Sequence, residues 1–273
     1  MSGFFLGLQK ILPQHSLSRL VGWLAQSQIP LIRRPFIHLF AWAYDISLAD
    51  AERKELDDYH SFNDFFTRAL ADGARPLPEQ PNALACPADG TVSQIGRIQS
   101  DLLMQAKGHQ YTLNSLAGET GKGFEDGDFC TIYLAPSNYH RVHLPWDGTL
   151  VETRAVPGAL FSVNSVTEAG IPGLFCRNEH LVCRFETEHG PILLVLVGAL
   201  IVASIETVWE GPASPYREEI VTQYEQAFRR GDEIGRFLLG STVICCFVKN
   251  AVTLAEHLNA GTVVRLGEII GAP

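Results

Sequence analysis

The chain has 273 residues, 46% of them hydrophobic, which allows one large domain or two small ones with a sizeable apolar core. Thirty Asp and Glu against 21 Lys and Arg give a formal charge of −9, which counts against nucleic-acid binding. The balance is uneven: residues 1–47 hold Lys10, Arg19, Arg33 and Arg34 against Asp45, a net +3, so the rest of the chain carries −12. A basic, apolar N-terminus on an acidic body predicts contact with an anionic membrane.

The N-terminal 70 residues read as helical. Ser16 can cap a helix whose Leu17, Leu20, Val21 and Leu24 form one apolar face. Pro30 ends it, and Pro35 opens a second, where Ile37, Phe40, Ala41 and Tyr44 repeat the spacing. Trp23, Phe36 and Trp42 add aromatic bulk next to the arginines, which suits a bilayer surface as well as a protein core. Ser61 caps a third helix, Phe62–Leu70, with Phe62, Phe65 and Phe66 on its buried face. No secretory signal is expected, because the apolar run Phe4–Leu8 is short and Lys10 follows it.

A connection with Pro76, Pro78, Pro81 and Pro87 then changes the texture to strands. Asp128–Leu134, Gly148–Val156, Leu181–Glu186, Ile192–Val197, Leu200–Trp209 and Thr242–Val248 are short and rich in β-formers. Asp147–Gly148 and His189–Gly190 read as turns between them. The longest apolar stretch, Ile192–Ile205, is shorter than the ~18 residues of a membrane span and reads as paired buried strands. Residues 216–230 are charged and read as a surface helix or loop. The six cysteines, Cys86, Cys130, Cys176, Cys183, Cys245 and Cys246, form no C-x-x-C pair and read as buried thiols. The expected fold is α+β: a helical membrane-associating region, 1–73, packed on a β-rich body, 74–273, of mainly antiparallel strands.

Three short segments carry chemistry. In Leu239-Gly240-Ser241-Thr242 a serine hydroxyl can attack the preceding carbonyl, and glycine leaves that carbonyl open. Loss of the Ser241 α-proton from the resulting ester expels Gly240 as a carboxylate and leaves dehydroalanine, which hydrolyses to pyruvoyl and ammonia. Alone, such a tripeptide is a turn. It needs a base, which His140-Arg141-Val142-His143 can supply, and a carboxylate to orient that base, which Asp89 of Pro87-Ala88-Asp89-Gly90 can supply. Asp89-Gly90 by itself is a hairpin turn. The two histidines are three apart, which on a regular strand puts them on opposite faces. No ligand spacing points to a metal.

The sequence resembles the bacterial phosphatidylserine decarboxylase family. The resemblance lies in Ser61–Arg68 (SFNDFFTR), Pro87–Gly90, Tyr139–Pro145, Pro157–Asn164 (PGALFSVN), Leu174–Glu179 (LFCRNE), Val197–Trp209 (VGALIVASIETVW) and Gly231–Thr242 (GDEIGRFLLGST), in that order. It implies self-cleavage between Gly240 and Ser241, with Asp89, His143 and Ser241 as the processing triad. It also implies a covalent pyruvoyl cofactor made from Ser241. That ketone takes the phosphatidylserine amine as a Schiff base and acts as an electron sink, as pyridoxal phosphate does elsewhere. His140 is implied in decarboxylation, holding or giving a proton near neutral pH. The product is phosphatidylethanolamine. The cleaved chains are expected to stay associated, as a homodimer attached peripherally to the cytoplasmic side of the cell membrane. Two residues depart from the pattern: His180 stands where arginine is expected after Asn-Glu, and Asn138 where an acidic residue is common. Two other readings use the same residues. A serine hydrolase with Ser241, His143 and Asp89 would lack a Gly-x-Ser-x-Gly elbow, and a non-catalytic lipid-binding protein would not need a scissile pair.

Overall fold

A computed structural model describes residues 21–199, 205–211, 214–238 and 241–273, with only the backbone of Ser165 and Ser241. Gly240, half of the expected cleavage pair, lies outside the described residues, as do Leu239 and the start of the first expected helix, up to residue 20. Residues 21–26 of that helix are helical.

Helix α1, Pro30–Ala43, begins five residues earlier than expected. Pro30, not Pro35, stands in its first turn, where a missing N–H costs nothing. Pro35 sits inside the helix and removes one bond within it. Ile37 and Ala41 are buried as the spacing predicts, and Phe36 stacks on Phe62 with ring centroids 4.1 Å apart. Phe62 opens α2, Phe62–Phe66, which is shorter than expected. Ser61 caps it, accepting from the Asp64 N–H at 3.1 Å. Thr67 already leaves helical geometry. Phe62, Phe65 and Phe66 join Tyr59, Ile37 and Ala41 in a cluster separate from the two cores of the body.

The body is built on an eight-stranded sheet. Its strands are β1 Gly90–Arg97, β2 Asp128–Leu134, β4 Gly148–Val156, β5 His180–Glu186, β6 Ile192–Val197, β8 Ile220–Phe228, β10 Ser241–Phe247 and β11 Val263–Val264. A second sheet joins β3 Arg141–His143, β7 Ile205–Thr207 and β9 Glu233–Phe237. The large sheet runs β8-β4-β5-β6-β10-β2-β1-β11, and every pair in it is antiparallel. The expected bounds of β2, β4 and β6 match, and those of β5 and β10 differ by one residue. Where Leu200–Trp209 was expected, Ile205–Thr207 is a strand, and 200–204 lie outside the described residues.

Residues 216–230 differ in kind from the expectation of a helix or loop. They contain the nine-residue edge strand β8, which pairs with β4. An edge strand buries little, so polar residues fill it and hide the alternation that marks a strand.

Strand β10 lies in the middle of the sheet, between β2 and β6. Its residues alternate between two cores: Val243, Cys245 and Phe247 face one, Ile244 and Cys246 the other. Burial on both faces explains why the strand reads as a near-continuous apolar run. Gly90 begins β1 where the chains crowd. A Cβ there would meet the Tyr133 carbonyl oxygen at 2.5 Å, so glycine is needed for close approach and the expected hairpin turn is a strand start. Cys86, Cys130, Cys183, Cys245 and Cys246 are buried free thiols and Cys176 is half-buried. No helix among the described residues is long and apolar enough to cross a membrane.

Candidate active site

One end of the large sheet gathers the residues that the sequence singles out. Ser241, the first residue of β10, pairs with Leu134 at the end of β2. Thr91, next to Gly90, pairs with Tyr133 on the other side of β2. From Leu134 the chain runs through Ala135–Tyr139 into the two histidines. Strand β3 then pairs with β9, and the Phe237 N–H donates to the His140 carbonyl at 2.9 Å. His140 is thus tied to a residue four positions before Ser241. The topology brings the Asp89 bend, the histidine segment and Ser241 to this end of the sheet.

Each side chain has its own anchors. His143 N–H donates to Pro87 O at 2.9 Å, which holds β3 against the Pro87–Gly90 bend. The His143 ring donates from Nδ1 to Gly231 O at 2.7 Å, so its lone pair is on Nε2, where the Tyr139 hydroxyl lies 3.0 Å away. Burial lowers the His143 pKa, with the Gly231 bond acting against it. This is the tautomer a general base needs, although the partner that sets it is a carbonyl. The expected Asp89–His143 contact is not among the described hydrogen bonds. Both Asp89 oxygens are taken by Arg75, at 3.0 and 2.6 Å, and the Leu266 N–H adds a third bond at 2.8 Å. Arg75 carries no motif, so sequence reasoning had no signal for this competitor.

His140 is fully buried. Its ring packs on Phe66 at 3.9 Å between centroids, and Nδ1 donates to Asn138 O at 2.9 Å. Nε2 has no partner. Burial pushes the pKa down to about 3, below the near-neutral titration expected of this ring, which favours the neutral form with its lone pair on the buried Nε2. The two histidines share no partner among the described residues.

His180 lies deeper, with Nδ1 2.6 Å from Asn178 O and Nε2 2.7 Å from Leu116 O. A neutral ring can donate to only one of these. Burial nevertheless lowers the pKa, against the pull of the two carbonyls. Both ring nitrogens lie against carbonyl oxygens in the interior, so His180 offers nothing to an anionic ligand. Asn138 contributes its side-chain oxygen to the Ala135 N–H at 2.7 Å, closing the loop after β2.

These lowered values make an acid sensitivity. A histidine with a depressed folded-state pKa stabilises fully above its unfolded pKa of ~6.5, and the contribution falls as pH drops toward the folded value. His140 alone is expected to remove about 2 kcal/mol of stability between pH 7 and pH 5. Urea unfolding of uncleaved Ser241→Ala protein at the two pH values measures this. Adding His140→Gln should flatten the difference by that amount, and an unaltered pH dependence would contradict the assignment.

Among the described residues, no group of three or more His, Cys, Asp or Glu side chains is arranged to hold a metal ion. A cleft of about 370 Å³ opens beside the bend, lined by Asp50, Arg68, Arg75, Asp89, Tyr139 and Arg265 among others.

The family model for phosphatidylserine decarboxylase matches residues 62–272, and a second, described as PSD, matches residues 4–45. The chain is 48% identical over 271 residues to a phosphatidylserine decarboxylase proenzyme of Psychrobacter cryohalolentis, covering 98% of each chain. It is 49% identical to the protein so named in Alcanivorax borkumensis, over 98% of this chain and 95% of that one. With the Pseudomonas putida protein of that name it shares 48% identity over 100% and 98%. The chain is therefore an α+β enzyme of the decarboxylase class. It belongs to the phosphatidylserine decarboxylase family.

Proposed function

We propose that this enzyme decarboxylates phosphatidylserine to phosphatidylethanolamine, and that it first cuts itself between Gly240 and Ser241. The observation that carries the reading is near full-length identity of 48–49% to proteins named as proenzymes of that decarboxylase. The backbone is consistent with it. Ser241 opens a central strand, and the piece 241–273 is held by neighbours in 1–240. Strand β10 lies between β2 and β6, β11 pairs with β1, and Ile269–Ala272 pairs with Leu84–Ala85. These contacts support two chains that stay together after cleavage.

A pyruvoyl group at position 241 would supply a ketone that acts as the electron sink for loss of carbon dioxide. Position 241 fits such a group, since it is the first residue of its strand and Thr242–Phe247 beyond it pair with both neighbours. The rest is work for the chain's own side chains. His143 takes the Ser241 hydroxyl proton at Nε2, once the Tyr139 hydroxyl yields that position. Asp89 acts through the backbone: its bonds to Arg75 and Leu266 hold the bend whose Pro87 carbonyl anchors His143. His140 offers an Nε2 lone pair, without a partner among the described residues, in a buried setting where it can hold a proton only transiently before passing it on. Mass spectrometry of the purified protein tests the cleavage, and conversion of phosphatidylserine in mixed micelles tests the activity. Cleavage without conversion would reject the substrate, and a single intact mass would reject self-processing.

We further propose peripheral attachment through α1. Ile37 and Ala41 face the protein, while Leu31 (89% exposed), Leu39 (64%) and Trp42 (81%) face outward. The arginines contribute less than the charge count suggests, because Arg33 reaches the Tyr59 carbonyl and Arg34 pairs with Asp57 at 3.2 Å. Replacing Leu31, Leu39 and Trp42 with serine should weaken binding to anionic vesicles by on the order of 100-fold in a flotation assay. Full flotation of the triple variant would place the attachment elsewhere.

A further inference from the structure

The cleft beside Asp89 contains a cation that no described carboxylate answers. Arg75 is matched by Asp89 at 2.6 Å and Asp50 at 2.8 Å. Arg265 stands exposed at the rim. Arg68 is only 5% exposed, and no carboxylate among the described residues pairs with it. Its Nη2 donates to the carbonyls of Ser137 at 2.9 Å and Asn138 at 3.3 Å, while Nη1 has no partner among the described residues. Burying a guanidinium without its counter-charge is costly.

Two further features bear on where an anion could meet Arg68. The Asn138 carbonyl that accepts from Arg68 also accepts from His140 Nδ1, so the guanidinium and the ring with the free Nε2 hang from one atom. Asp45 and Ser47, just past the end of α1 with its outward Trp42, line the same cleft, so a lipid held at that helix can present its head group here. At about 370 Å³ the cleft is in the ~300–1,000 Å³ range of small-molecule sites.

We propose that Arg68 is the receptor for the phosphodiester of the lipid head group, an inference that rests on the decarboxylase reading above. The head group has two anions. A carboxylate held by a buried guanidinium would be stabilised in the ground state and harder to expel, which raises the barrier. The phosphodiester keeps its charge from substrate to product, so its pairing with Arg68 adds uniform binding and does not oppose the chemistry. Nη1 supplies the free donor, and a charge-assisted bond of this kind is among the stronger polar contacts a ligand can make.

The test uses full-length enzyme in detergent micelles. Arg68→Gln should raise KM for phosphatidylserine by on the order of 10–100-fold, with kcat within about threefold of wild type. Arg68→Lys, which keeps the charge and loses the fork, should fall between. Calorimetric titration with glycerophosphoethanolamine and glycerophosphoserine separates the two anions, and Arg68→Gln should weaken both by the same factor. A loss confined to glycerophosphoserine would assign Arg68 to the carboxylate and overturn the proposal, as would affinities that do not change. Should Arg68→Gln fail to fold, wild-type protein carrying 13C-labelled arginine gives the answer. A buried guanidinium resonance must move on adding glycerophosphoethanolamine, and none moving rejects the site. The mass of the wild-type chains reports separately on the decarboxylase reading, since an uncleaved wild type sinks that reading while the head-group titrations still decide Arg68.

Discussion

Ser241→Ala is expected to leave the enzyme as one uncleaved chain of 273 residues with no decarboxylase activity. Alanine has no hydroxyl to attack the Gly240 carbonyl and cannot become a pyruvoyl group, so processing and turnover are lost together. Folding should survive, because β10 is held by its backbone pairing to β2 and β6 and by alternate apolar side chains in the two cores. Denaturing electrophoresis and intact mass measure the outcome. A Ser241→Ala chain that still breaks at the same bond would show that the nucleophile is elsewhere. Two companions refine the picture. His143→Ala should nearly abolish cleavage by removing the base. Asp89→Asn should only slow it, because the amide keeps an acceptor for Leu266 and loses the ion pair with Arg75. If Asp89→Asn cut at the wild-type rate, the carboxylate would have no part in holding the bend.

The second large effect is expected at His140. His140→Ala should still cut itself and should lose turnover on phosphatidylserine by on the order of 10²–10⁴-fold, the usual worth of a positioned acid or base. The separation follows from the anchors. His143 is tied to the Pro87–Gly90 bend and to Gly231, whereas His140 lies against Phe66 and shares the Asn138 carbonyl with Arg68. Burial lowers its pKa to about 3, so in the proposed cycle the ring starts neutral and would accept a proton and return it. Because alanine leaves a cavity beside Phe66, His140→Gln serves as the second variant, with similar volume and a polar end. Full turnover in both would remove His140 from the chemistry, and loss of cleavage in both would mean the two steps cannot be separated.

Much of this was legible in the chain. Strands β2, β4 and β6 were read to the residue because each carries an apolar face or run. The Ser61 cap was visible for the same local reason: a hydroxyl three residues before an open N–H. Where the reading departed from the structure, a tertiary contact decided. Residues 220–228 are too polar to announce a strand, and β4 alone makes them one. Pro35 looks like a helix start, yet the helix runs through it because Ile37 and Ala41 are buried on the aromatic cluster around Phe62. Asp89 and His143 were expected to touch, and the carboxylate went to Arg75, fourteen positions away in the chain.

The available chemistry is written in residue type and local spacing: a Gly-Ser pair ahead of a buried strand, two histidines, an aspartate at a bend, and the ordered segments of a family. Side-chain type and local spacing are chemical facts that precede folding. Protonation and partnership come from the packed fold. Burial, not composition, moved His140 from the neutral range to about 3, and the Gly231 carbonyl set the His143 tautomer. The same folding left Arg68 buried beside them with no carboxylate partner among the described residues, because desolvation and pairing depend on which distant residues the sheet end brings together.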